Sequence, residues 1–123
     1  MTKLKVIKKD EVIKIKLNLK INYCNNLLKK IKGYMFKTKK DEILIFPFNR
    51  EQIISIHSFF VKYNLYCIWL KKDTVVETTV IKPFNIYRPT SKADKLIEIP
   101  YEEYNKIKKN IKLMKGKKLI IEE

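Results

Sequence analysis

What the sequence has little of narrows its function first. Only two of the 123 residues are glycine, Gly33 and Gly116. A phosphate-cradling loop of the GxxxxGK[ST] or GxGxxG kind needs more backbone freedom than that, so no nucleotide cofactor is expected. Histidine occurs once, at His57, and cysteine twice, at Cys24 and Cys67, without CxxC spacing. Zinc sites draw on clustered Cys and His, so no metal site is expected either. Two distant cysteines do not make a disulfide framework, and a reducing compartment is the simpler reading. No apolar run approaches the roughly 18 residues of a membrane span, and no signal-peptide pattern is present. A cytoplasmic protein with no membrane partner is therefore expected. Acids are also scarce, with 13 against 28 basic residues, and only two of the 28 are arginine.

What remains is a globular composition, 46% hydrophobic with 11% aromatic residues. The length suits one domain over residues 1–123, with enough chain to bury a core. The formal net charge is +15 and is unevenly placed. Residues 1–40 carry +11, residues 41–104 carry −1 and residues 105–123 carry +5. A lysine bias of the whole proteome would raise glutamate as well, so the imbalance points to an electrostatic surface apart from the neutral middle.

Periodicity supplies the elements. From Val12 to Cys24 the apolar Ile13, Ile15, Leu17, Leu19, Ile21 and Tyr23 alternate with Lys14, Lys16, Asn18, Lys20 and Asn22. That is the pattern of one half-buried strand. Asn25 or Asn26 offers a helix N-cap and Gly33 a stop, with Leu27, Leu28 and Ile31 between them. Strands are expected at Glu42–Phe46, closed by Pro47, and at Ile54–Val61. Tyr66–Leu70 and "VVETTVI" read as a hairpin around "KKDT", and "KLIEI" at 95–99 as a further strand. Pro100 suits the first turn of a second helix through Tyr101, Tyr104, Ile107 and Ile111, and "KKLIIEE" closes the chain as a strand. The expected class is α+β, with a β-rich, mostly antiparallel, barrel-like sheet and two short helices.

Six short motifs occur in order: Gly33-Tyr34-Met35-Phe36, Phe46-Pro47, Ser58-Phe59-Phe60-Val61, Pro83-Phe84, Tyr87-Arg88-Pro89 and Glu98-Ile99-Pro100. Together they resemble the family known as domain of unknown function 192, also called uncharacterised protein family 0127. That family's pattern reads Gly-Leu-Met-Phe, Phe-Pro, Ser-x-Trp-Met, Pro-aromatic, Tyr-x-Pro and Glu-Leu-Pro. The resemblance covers about residues 12–121 and implies a small β-rich domain without a defined activity. The family's Trp-Met stands here as Phe60-Val61. Its acid ahead of the hairpin strand falls on Tyr66, so any chemistry resting on that acid is lacking here.

Individual residues offer several sites. His57 could serve as a general base, but no nucleophile motif or orienting group accompanies it, so a hydrogen-bonded histidine at a strand edge is the expected role. Arg88, set between Tyr87 and Pro89, offers a planar fork for a carboxylate or phosphate, or else ties its loop to Asp94 or a carbonyl. The leading expectation is a non-catalytic binding or interaction module with an unknown ligand or protein partner. Its surface would lie around His57, Phe60, Trp69, Phe84, Tyr87 and Arg88, with no catalytic residue assigned. The first alternative is a nucleic-acid-associated protein using Lys14, Lys16 and Lys20 to track phosphates. The second is an enzyme of unknown reaction with His57 as base. The oligomeric state stays open, since an exposed edge strand could pair with another copy.

Overall fold

A computed structural model of the chain describes residues 2–8, 11–17, 19–26, 30, 33–35, 37, 39–108 and 116–122. Ten strands and one helix are assigned among them: β1 (Thr2–Lys8), β2 (Glu11–Leu17), β3 (Lys20–Tyr23), β4 (Glu42–Gln52), β5 (Ile56–His57), β6 (Leu65–Lys71), β7 (Thr74–Ile81), β8 (Ile86–Tyr87), β9 (Ala93–Pro100), α1 (Tyr101–Ile107) and β10 (Lys118–Glu122). Eight strands form one sheet in the order β2-β1-β10-β7-β6-β9-β4-β3, antiparallel throughout except for the parallel β3–β4 pair. The short β5 and β8 pair separately.

The run 12–24 is not one strand. It is divided between β2, which ends at Leu17, and β3, which starts at Lys20, and these stand at opposite ends of the sheet order. Flat, eight strands would hold their edges about 34 Å apart at the usual interstrand spacing. A two-residue link spans only about 10 Å. The sheet must therefore curl until its edges approach each other at residues 17–20, which gives the barrel-like curvature. The same alternation continues through both halves, so the sequence carries no mark of the break.

Strand β6 explains the core. All of Leu65 to Leu70 is buried, and the alternation sends neighbours to opposite faces. Tyr66, Ile68 and Leu70 join Ile43, Ile45, Ile97 and Ile99 on one face. Leu65, Cys67 and Trp69 join Leu44, Phe46 and Leu96 on the other. The first face is covered in part by α1, whose Tyr104 ring stacks on Tyr66 with centroids 3.7 Å apart. Tyr66, standing where the resemblance places an acid, is thus a packing residue.

Several expected boundaries move. β1 had no counterpart in the periodicity. β4 runs through Pro47 to Gln52, and its register against β9 shifts between those two residues. An irregularity is where a strand tolerates proline. The apolar stretch 54–61 forms only the two-residue β5, and the rest is loop. The hairpin turn is the two residues Lys72 and Asp73, both at positive φ, rather than four. Pro100 ends β9 and caps α1 instead of lying inside its first turn. Lys30 N–H donates to the Asn26 carbonyl at 3.0 Å, one helical turn. The rest of the helix expected at 27–31, and the extension of α1 through Ile111, lie outside the described residues.

Candidate functional site

On the Trp69 face of the sheet the chain leaves a cavity of about 270 Å³. Its walls are mostly apolar: Phe46, Phe48, Ile54, Val61, Leu65 and Leu96. Gly33 to Met35, Ser55 to His57 and Lys30 complete the lining, with Glu98 on the strand side. Four of the six quoted motifs reach this space through Gly33-Tyr34-Met35, Phe46, Val61 and Glu98. Gly33 turns the chain there at φ +45°, a conformation that costs glycine nothing.

Glu98 is the unusual group. It lies on β9 between Leu44 of β4 and Cys67 of β6, with only 6% of its surface accessible. Its carboxyl makes no hydrogen bond or ion pair with any described residue. Glu98 is one of the residues that line the cavity. Burial raises its pKa to about 8. The Tyr34 hydroxyl lies 2.7 Å from the Glu42 carbonyl and 2.8 Å from the Glu98 carbonyl, bridging the ends of β4 and β9. Burial, then the nearby Glu98, holds Tyr34 well above the usual phenol range.

The loops beside the cavity are held by two polar knots. Ser58, fully buried, donates from Oγ to the Lys82 carbonyl at 2.5 Å and accepts from Asn85 N–H at 2.9 Å. Its N–H donates to the Asn85 carbonyl at 2.9 Å, and its own carbonyl accepts from Phe84 N–H at 3.0 Å. Glu77 of β7 accepts from Tyr87 Oη at 2.6 Å, from the N–H groups of Thr90 and Ser91 at 3.0 Å and from Thr90 Oγ1 at 3.1 Å. Burial pushes the Glu77 carboxyl up, but these bonds outweigh it and hold its pKa below the usual value.

The residues picked from sequence fall in three places. Trp69 is fully buried, donating from Nε1 to the Ile54 carbonyl at 2.9 Å beneath the cavity wall. Tyr87 packs against Trp69, with ring centroids 5.4 Å apart, and is held by Glu77. His57 lines the cavity; its Nδ1 accepts from Phe59 N–H at 3.2 Å, and its ring stacks on Phe59. Phe60 and Phe84 stand outside, 49% and 63% exposed, edge to face at 5.8 Å and both at φ near +60°. Arg88 is exposed and bonds to no described residue. The expected tie to Asp94 is not made; Asp94 Oδ2 accepts from Lys72 N–H at 3.2 Å, and the loop is fastened by Glu77 instead.

The lysines divide with the broken strand. Lys14 and Lys16 stand opposite Lys5 and Lys3 in the β1–β2 register, and their side chains lie outside the description. Lys20 opens β3 at the other edge, exposed. Glu98 escaped selection because an acid inside "KLIEI" reads as solvent-facing until the strand is known to be central. Tyr34 and Met35 were visible as part of the Gly-x-Met-Phe motif, but nothing in their spacing points to a cavity.

A curled, mostly antiparallel sheet with one short described helix defines a small β-rich protein, with a cavity set against its central strands. The chain belongs to domain of unknown function 192, "Uncharacterized ACR", matched over residues 7–119. It is 31% identical over 88 residues to a UPF0127 protein of Pyrococcus abyssi (strain GE5 / Orsay), covering 70% of this chain and 75% of that one. It is likewise 31% identical over 87 residues to a UPF0127 protein of Pyrococcus furiosus, covering 68% and 74%. Among solved structures it resembles a Sinorhizobium meliloti 1021 protein provisionally described as a transcription regulator. The TM-score is 0.75 at 12% identity, covering 98% of this chain and 93% of that chain. A protein of unknown function from Novosphingobium aromaticivorans DSM 12444 gives 0.70 at 17% identity, covering 96% and 83%. These likenesses concern the fold.

Proposed function

We propose that the protein is a non-catalytic binding module whose site is the cavity over Glu98. The observation that carries this reading is the buried Glu98 carboxyl, unpaired among the described residues, in the wall of an apolar space. Burying a polar group without a partner costs about 1–3 kcal/mol, a cost that a bound ligand would offset. The surroundings favour binding over catalysis. Glu98 has no second functional side chain within a described hydrogen bond, and His57 is turned toward Phe59 N–H rather than toward an acid. The test is a panel of small apolar molecules titrated into the protein, followed by NMR at the methyls of Leu65 and Leu96. Shifts confined to the cavity walls are expected, and a Val61→Phe variant that fills the space should lose them while remaining folded. Shifts that persist in the filled variant, or none for any compound, would refute the reading.

A second reading concerns the loop tips. Phe60 and Phe84 are bulky residues in the left-handed region, where side chains are rarely found without a reason, and Ile86 beside them is 70% exposed. Strain held by the Ser58 knot to present an aromatic pair suits a contact with another protein. Sedimentation of the chain alone, and of a Phe60→Ser, Phe84→Ser variant, tests for self-association through this pair. Sedimentation as a monomer, unchanged by the double substitution, would exclude a second copy as the partner.

A further inference from the structure

The groups facing Glu98 decide what it can bind. Tyr34, Tyr63 and Cys67 are the titratable side chains whose charges would act on it. Burial keeps all three neutral: it pushes Tyr63 to about 12 and raises the others well above their usual values. His57 and Lys30 share the cavity lining, and Lys30 Nζ sits over the Phe48 ring, 4.1 Å from its centroid. No described cation pairs with the Glu98 carboxylate. The carboxyl is therefore held in its protonated form near neutral pH, as an O–H donor with no acceptor among the described residues.

We propose that the cavity takes a small uncharged molecule, apolar over most of its surface, whose carbonyl oxygen accepts the proton of the Glu98 carboxyl. This rests on the cavity being the binding site. An ammonium ligand would have to settle beside Lys30 in a chain of net charge +15. A carboxylate, though drawn to Lys30, would lose its water among the apolar walls and meet Glu98, itself an acid. An uncharged carbonyl avoids both costs and satisfies the donor. The volume, about 270 Å³, falls just below the roughly 300–1,000 Å³ of drug-sized sites, so the ligand is small.

Four probes of similar size separate the possibilities: hexanamide, hexanoate, hexylammonium and benzene, each titrated into the whole chain near neutral pH and followed at the Val61 and Leu96 methyls. Hexanamide should bind most tightly. Its affinity should fall about tenfold in Glu98→Leu and be kept in Glu98→Gln, whose amide still donates. In the wild type it should weaken about tenfold per pH unit above the Glu98 titration, and the Gln variant should show no such slope. A His57→Gln variant should keep the slope, which assigns it to Glu98. Hexylammonium or hexanoate binding best, or hexanamide binding equally well in Glu98→Leu, would overturn the inference. Benzene binding as tightly as hexanamide overturns it too, while leaving the cavity as the binding site. Silence from all four probes overturns both.

Discussion

The Tyr34 hydroxyl and the Glu98 carbonyl, 64 positions apart in the chain, meet at 2.8 Å. The same hydroxyl lies 2.7 Å from the Glu42 carbonyl, so one phenol closes the ends of β4 and β9 beside the cavity. Tyr34→Phe leaves that pair of carbonyls to share no donor. The expected loss is about 1–3 kcal/mol, the usual cost of an unsatisfied buried acceptor. Urea denaturation should show a lower midpoint with an unchanged slope; an unchanged midpoint would mean that water takes over the bond.

Glu98 makes stability depend on pH in a definite direction. Its pKa rises from 4.5 to about 8 on folding. Below the lower value both states hold the proton and there is no penalty. Between the two the unfolded chain releases it and the folded chain does not, so stability falls as pH rises, and the loss is complete above the folded value. The full span is on the order of 5 kcal/mol. Glu77 works in the opposite direction but only on the acid side, since its pKa is lowered. Glu98→Gln should flatten the neutral limb and exceed the wild type in stability near the top of that window. A wild type as stable at about pH 8 as at about pH 5 contradicts this.

The Ser58 knot is testable by removing one atom. Ser58→Ala strips Asn85 N–H of its acceptor and leaves the Lys82 carbonyl only the weaker bond from Asn85 Nδ2 at 3.2 Å. A cost of about 2 kcal/mol is expected, with faster amide exchange at Phe84 and Asn85. Normal protection of those amides would show that the loop is held from elsewhere.

The β6–β7 turn stores strain that substitution can release. Lys72 and Asp73 sit at φ +47° and +65°, the combination that a two-residue primed hairpin requires and that asparagine tolerates better than lysine. Lys72 is exposed and acts there only through its backbone N–H to Asp94. Lys72→Asn should therefore add about 0.5 kcal/mol and raise the melting temperature by about 2–4 °C. A lower melting temperature would count against the turn assignment.

Much of the sheet was legible in the chain itself. Apolar runs without alternation, "YCIWL" above all, mark a strand buried on both faces, and β6 is central. β7, β9 and β10 follow from local pattern and from turn residues, because side-chain alternation is a property of neighbouring residues alone. The six motifs were equally legible as an ordered set, and the family they resemble is the one that the chain matches over residues 7–119.

Only the tertiary structure decided the rest, because it depends on which segments become neighbours. The alternation of 12–24 is the same whether it makes one strand or two, and its division between Leu17 and Lys20 follows from the closing of the sheet. An acid in "KLIEI" is surface chemistry on an edge strand and a buried, proton-holding carboxyl on a central one. Flanking by β4 and β6, with Tyr34 and Cys67 set around it, fixes which of these Glu98 becomes. Its protonation is a consequence of solvent excluded by residues far away in sequence, and no local pattern records that exclusion.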